Sequence, residues 1–412
     1  MSDPVAAPSA NDLPGRRSLV PATLTRSLSS ILGPVIGLLV VIAIFGVWKP
    51  ERFLTLDTLD NVMLYNFHYA VAAMGATFVI VTAGIDLSVG STMALSCVAC
   101  ALAIRGGTIP ESSLGTTIAI AISAALLVGM AVAARALESG LRRPAALIRA
   151  ALGGAIAAAV VFLFCYLFAG RHVAPFPAWL AFLVGVLVGA AIGWLNGALI
   201  TRLGIPPFVA TLATLGAVRG LTLYLANDEP VSRDPRTWDP RAVAAIDHLA
   251  KLHHSDLLGL RPNYWITFAV AAVAIPLLHF TIVGRYAFAI GSNERTARLC
   301  GVNVERYKTL CYVIAGACAG LAGTMMTAKL RGGQPTEFTG AELTVIAAVV
   351  IGGTSLFGGE GTIVGTILGM LMLGLLYSGC VLADISSNVQ RMFIGGTIVL
   401  AAALDRFRHL RG

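Results

Sequence analysis

Apolar residues run almost unbroken through stretches long enough to cross a bilayer, and nothing else in the sequence narrows the fold as much. A helix needs about 20 mostly apolar residues to cross roughly 30 Å of hydrocarbon. Twelve stretches approach that length: 31–48, 68–84, 87–105, 116–135, 145–169, 177–200, 207–226, 264–283, 308–328, 341–357, 361–383 and 389–404. Inside lipid every backbone N–H and C=O must be satisfied within the chain, which leaves helices for such runs. The expected fold is all-α, a polytopic transmembrane helical bundle of about 10–12 spans. The shortest runs, 68–84, 341–357 and 389–404, are where broken or re-entrant segments are expected. Only 12% of the 412 residues are charged and 57% are hydrophobic, against about 25% charged in a soluble domain. Lipid, not water, must cover this surface.

The charges lie between the runs. A net charge of +8 invites a nucleic-acid reading, but the basic residues form short scattered clusters with no patch interleaved with aromatics. They read instead as a topology signal. An even number of spans puts both termini on one side. With the termini in the cytoplasm, the inner segments carry Arg16, Arg17, Arg26, Arg142, Arg143, Arg202, Arg285, Arg295, Arg298, Arg306, Arg406, Arg408 and Arg411. On the other side, the basic residues of the long 227–263 loop are balanced by Asp228, Glu229, Asp234, Asp239, Asp247 and Asp256. The favoured orientation is therefore both termini inside. Residues 1–30, rich in Pro, Ser and Ala, are expected to be a disordered cytoplasmic tail, and 31–412 the transmembrane domain. Run 31–48 lacks a small-residue cleavage site and meets Lys49-Pro50-Glu51-Arg52 directly, so it is expected to be a retained span.

In the extracytoplasmic loop 227–263, Pro230, Pro235 and Pro240 favour turns, with a short helix expected near Arg241–Lys251. His253 and His254 lack a metal-ligand pattern and are expected to be solvated. All cysteines but Cys300 lie in apolar runs, and Cys97-x-x-Cys100 has no second pair. Neither a disulfide nor a metal site is expected.

Glycines recur at intervals of four: Gly185, Gly189, Gly193 and Gly197; Gly361, Gly365 and Gly369; Gly316 and Gly320. That spacing lines one helix face, where small residues let another backbone approach closely. Packing within one subunit is one reading. A subunit interface or moving seam is the other.

Two Gly-rich breaks stand at matching places in the two halves. One is Thr82-Ala83-Gly84-Ile85-Asp86-Leu87-Ser88-Val89-Gly90; the other is Ile351-Gly352-Gly353-Thr354-Ser355-Leu356-Phe357-Gly358-Gly359. Aligned on Leu87 and Leu356, Gly84 matches Gly353, Asp86 matches Ser355 and Gly90 matches Gly359. Interrupted spans at corresponding positions of two pseudo-repeated halves point to a transport pathway. Asp86 and Ser355 are expected where a new helix begins, each accepting from free N–H groups of its first turn. Asp86 also puts charge at the helix's positive end. A cap that fixes the break and direct contact with a translocating polar solute are the two readings. Asn196, near the end of its run, and Thr211, Thr214 and Arg219 in run 207–226 are polar groups in apolar surroundings and join the pathway residues.

Segment 284–307 is too charged for lipid. Asn293 is a good N-cap, Glu294–Cys300 a short helix carrying Arg295 and Arg298, and Gly301 its C-cap. Such a helix on the cytoplasmic face is a docking surface, with a solvated connector as the plain alternative.

Three stretches closely resemble the ribose/xylose/galactoside-type ABC sugar permeases: Gly84-Ile85-Asp86-Leu87-Ser88-Val89-Gly90-Ser91; Gly284-Arg285 through Asn293-Glu294 and Ala297-Arg298-Leu299-Cys300-Gly301-Val302-Asn303; and Ala347 through Leu356 followed by Gly359. The resemblance runs from about residue 30 to the C-terminus. It implies a multi-pass permease of the bacterial inner membrane, working as a homodimer with a cytoplasmic ATPase and a periplasmic or surface-anchored sugar-binding protein. It also implies that 284–307 contacts the ATPase. Block 116–169 is a departure, an inserted helix pair relative to the family's ten spans, and Cys300 stands where relatives often carry Ser.

The function expected is translocation of a monosaccharide, ribose- or xylose-like, driven by a partner's ATP hydrolysis. The chain has no GxxxxGK[ST] phosphate loop, so ATP is bound elsewhere and no cofactor is expected. The alternative is a secondary transporter coupled to an ion gradient. No HExxH and no clustered His or carboxylates favour an enzyme.

Overall fold

The computed structural model describes residues 22–108 and 172–386, with isolated positions within 144–155 and 388–399. Residues 1–21 of the expected tail, nearly all of the inserted pair 116–169 and half of run 389–404 lie outside the described residues, whereas 22–30, expected to be disordered tail, are helical. Among those described, the elements are α1 (Ala22–Trp48), α2 (Pro50–Phe53), α3 (Leu56–Val81), α4 (Val89–Arg105), β1 (Gly107–Thr108), β2 (His172–Val173), α5 (Ala178–Arg202), α6 (Pro207–Ala226), β3 (Val231–Ser232), α7 (Pro240–His254), α8 (Pro262–His279), α9 (Ile282–Ser292), α10 (Glu294–Leu299), α11 (Val304–Leu330), β4 (Gly332–Gly333), α12 (Ala341–Ile351) and α13 (Ile363–Leu382).

The bundle is helical and apolar, as expected for a polytopic membrane protein. Five helices, α5, α6, α8, α11 and α13, are long and apolar enough to span a membrane alone. Helix α3 makes a sixth, bent by 51° between Leu56–Leu64 and Asn66–Val81. Shorter apolar helices cover Leu32–Trp48, Val89–Arg105 and Ala341–Ile351. These nine correspond to nine of the twelve runs.

Helix α11 lies at the centre, against α5, α3 and α4. A second layer, α13 and α12, packs on α3, and α1 lies outside α13. The main core joins Val71, Met74 and Phe78 of α3 to Met93 of α4, Met325 of α11 and Val345 of α12. The glycine rows decide where backbones meet. A Cβ on Gly189 would overlap the Gly316 carbonyl oxygen, and one on Gly193 the Tyr312 carbonyl oxygen. Gly365 and Gly369 sit in the same way against Gly352 and Ala348. Both seams lie within one subunit, the first of the two readings.

Two expectations fail for one reason: polar residues here find partners on other elements. Helix α3 begins at Leu56, twelve residues before the run 68–84, because Asp60 is engaged by Arg261 (3.3 Å) and by the Tyr264 hydroxyl. Helix α7 extends to His254, beyond the expected Lys251, and His253 is buried with its Nδ1 2.9 Å from Asn263 Nδ2. Of the expected solvated pair only His254 is exposed.

The run 341–357 is not one helix. After α11 the chain pairs with the 227–261 loop, Val231 opposite Gly333 and Ser232 opposite Gly332. It then descends along α4 without regular structure. Gly333 lies against Val98 and Ala101, and Gly90 against Phe338. Eight helical residues separate Val98 from Gly90, about 12 Å of rise. Helix α12 therefore starts deep in the bundle, and 331–340 is re-entrant.

Candidate functional site

The first break ends α3 with a Schellman motif. The N–H of Gly84 donates to Val79 O (3.1 Å), that of Ala83 to Ile80 O (2.9 Å), and Ala83 takes φ +56°. Asp86 then turns back on itself. Its Oδ1 accepts from the Ser88 N–H (2.9 Å) and the Ser88 hydroxyl (2.7 Å). Its carboxylate thus holds the residue before α4, and not the N–H groups of the first turn as expected. Asn196 Nδ2 donates to Ser88 Oγ (2.8 Å), while the Thr211 hydroxyl has its nearest acceptor in its own helix, Pro207 O (2.9 Å), with the Ile85 carbonyl 3.2 Å away. Asp86, Ser88 and Asn196 therefore form one buried hydrogen-bonded group, with Thr211 buried beside the Ile85 carbonyl. Among the described residues no basic side chain pairs with Asp86. Thr214, a turn beyond Thr211, bonds only its own helix.

The second break has the same end in a different register. Thr354 N–H donates to Val349 O (3.2 Å), Gly353 N–H to Val350 O (2.9 Å), and Gly353 takes φ +87°. By hydrogen bonding, Ala83 matches Gly353 and Gly84 matches Thr354, one residue off the alignment on Leu87 and Leu356. The left-handed position, not the leucine, is what the two ends share. Ser355 does not open a helix either. Its Oγ accepts from the Phe357 N–H (3.2 Å), and α13 begins at Ile363 with Thr362 Oγ1 accepting from Gly365 N–H (3.0 Å).

The breaks touch. Gly359 N–H donates to the Val81 carbonyl (2.9 Å), one of the carbonyls that the end of α3 leaves open. Gly358 lies on Ala83. Gly291, next to last in α9, fits against both Val81 O and Gly359 N, and Ser292 lies beside Gly359. Neither Val81 nor Gly291 stands out in the sequence, because what they contribute is backbone.

From this point the chain continues as α10, and α9, α10 and the turn into α11 together form a hairpin. Asn293 Oδ1 accepts from Thr296 N–H (2.9 Å), and past Gly301 (φ +82°) the Val302 N–H returns to Ala297 O (3.1 Å). Glu294 receives Arg298 Nη2 (3.3 Å) and Lys308 Nζ (3.0 Å). Burial alone would raise the Glu294 carboxyl, but Lys308 and Arg298 hold it below the usual carboxylate range. Arg295, Arg298 and Leu299 face outward, Leu299 at 84% exposure.

Arg219 does not reach for the membrane surface. Its Nη1 donates to the carbonyls of Pro335 (2.8 Å) and Glu337 (2.9 Å), fastening the re-entrant segment to α6. The other end of that segment closes over Gly90, which has no room for a side chain beside Phe338 and Glu342.

Comparison with known proteins follows the same line. Residues 145–402 match the family described as branched-chain amino acid transport system / permease component. Ribose import permease protein RbsC of Escherichia coli K12 is 34% identical over 391 residues, 95% of this chain and 97% of the relative. Its counterpart in Bacillus subtilis strain 168 is 34% identical over 376 residues, 91% and 92%. The D-allose transport system permease protein AlsC of E. coli K12 is 29% identical over 370 residues, 90% and 89%. No solved structure matches the chain.

Proposed function

This chain belongs to the permease family of ABC sugar importers, and from that premise we propose that it carries a ribose-like monosaccharide across the bacterial inner membrane, driven by a separate cytoplasmic ATPase. A binding protein outside the membrane delivers the sugar, and two copies of the chain form the conduit. Both termini and the 282–307 hairpin lie in the cytoplasm, and the 227–261 loop lies outside. The relatives named above are ribose import permeases and a D-allose transport system permease, names that lend no support to an ion-coupled carrier.

The observation that carries this reading is helix α10. It is capped at both ends, tied to α11 through Lys308 and Glu294, and presents Arg295, Arg298 and Leu299 to solvent. A rigid charged knob with one exposed leucine fits a protein groove better than water. When ATP closes the ATPase pair, each knob is pushed and the spans rearrange.

The test is a Glu294→Ala/Arg298→Ala permease assembled with its ATPase and binding protein in proteoliposomes. Ribose uptake should fall at least about tenfold, 1.4 kcal/mol of lost coupling, while basal ATP hydrolysis persists. Unchanged uptake would overturn the assignment. So would ribose uptake that continues after ATP is depleted with the ion gradient kept.

A further inference from the structure

The hairpin meets the two breaks at a single place, and the contacts of Gly291 there are all with backbone. Val81 closes α3, and its carbonyl takes the N–H of Gly359 from the second break (2.9 Å). Gly291 is seated on that hydrogen bond: a Cβ on it would overlap Val81 O and lie 2.5 Å from Gly359 N. Gly359 (φ +77°) has no room on its other side, where a Cβ would lie 2.5 Å from the Ser292 hydroxyl and 3.1 Å from the Ser292 backbone. Ile290, just before the joint, is buried with Ala297 and Val304, so the end of α9 moves with α10 and the start of α11.

We propose that Gly291 is a positioning residue through which a displacement of the hairpin reaches both broken spans at once. The inference rests on the coupling role of α10 proposed above. A side-chain contact has rotamer freedom that absorbs small movements, whereas close-packed backbone transmits them. Both spans end here in non-helical residues, the places where a chain absorbs large φ/ψ changes. Because Gly359 is bonded to Val81, neither break can shift relative to α9 without the other shifting or that bond parting.

Gly291→Ala tests the joint in the full transporter, with sugar moved per ATP hydrolysed as the readout. The expected result is a ratio at least tenfold below wild type, with complex assembly and basal hydrolysis retained. An unchanged ratio in an assembled Gly291→Ala transporter overturns the proposal. If the same preparation series shows Glu294→Ala/Arg298→Ala uncoupled, only the joint fails; if neither variant uncouples, the coupling role of the hairpin fails as well. Should Gly291→Ala not assemble, hydrogen exchange in the wild-type complex decides. Trapping the ATP-bound state should change protection in 80–88 and 352–362 together, and protection unchanged in either segment overturns the proposal.

Discussion

The side-chain amide of Asn196 donates to the hydroxyl of Ser88 (2.8 Å), which itself donates to Asp86 (2.7 Å). The first break is thereby tied to α5 through two hydrogen bonds, beside the apolar cluster that Val79 forms with Leu199 and Ile200. Asp86→Asn keeps an acceptor for the Ser88 N–H, whereas Asp86→Ala leaves both Ser88 donors buried without one. Each orphaned donor costs about 1–3 kcal/mol. Asp86→Ala should therefore unfold well below Asp86→Asn in a detergent melt, and equal melting temperatures would refute the acceptor role.

Arg219 makes a second prediction. Its guanidinium satisfies two carbonyls in the irregular stretch that follows β4. Hydrogen bonds from a charged donor contribute about 1.5–3 kcal/mol each. Arg219→Met should loosen 331–340 and depress sugar uptake, and Arg219→Lys, lacking the planar fork, should restore only part of it. Hydrogen exchange of 331–340 reads the loosening. Wild-type protection there in Arg219→Met would contradict it.

How much of this was legible in advance depends on where polarity falls. Helix α6 coincides with its run, 207–226, because Pro206-Pro207 opens it and Asn227-Asp228-Glu229 closes it. The start of α3 was hidden, since Asp57 and Asp60 look like loop residues until Arg261 and Tyr264 arrive from 200 residues away. Asn196 and Thr211 could be singled out as polar groups in apolar runs, but nothing local placed them at the first break. The one-residue shift between the breaks was invisible because Ala83 holds a left-handed φ usually left to glycine or asparagine. The contact of Gly291 with Val81 leaves no side-chain signature to read.

The 227–261 loop should respond to acid. His253 is held down to about 4 by burial first, then by the nearby positive charges of His254, Lys329 and Arg261. It lines an enclosed cavity of about 10 Å³ with His68, Asn263 and Lys329, room for about one water. A neutral histidine in the fold with an ordinary value near 6.5 when unfolded stabilises above that value and loses the contribution as pH falls from about 6.5 to about 4. The melting temperature should therefore drop between pH 7 and pH 5. His253→Gln, which keeps a partner for Asn263 without titrating, should shrink that drop. An unaltered pH dependence in the variant would remove His253 as its source.

Glycine substitutions should separate seam from surface. A methyl on Gly189 has nowhere to go, because the Gly316 carbonyl and the Gly320 backbone occupy its place across the α5–α11 contact. Forcing the two helices apart is expected to cost about 1–3 kcal/mol, more where α11 also packs on α3 and α4 and has no free side to yield. Gly216 in α6 faces open space, so Gly216→Ala gains helix propensity of up to about 1 kcal/mol and disturbs nothing within this chain. The two variants should shift the detergent melting temperature in opposite directions. A Gly189→Ala protein as stable as Gly216→Ala would mean that α5 and α11 do not meet backbone to backbone.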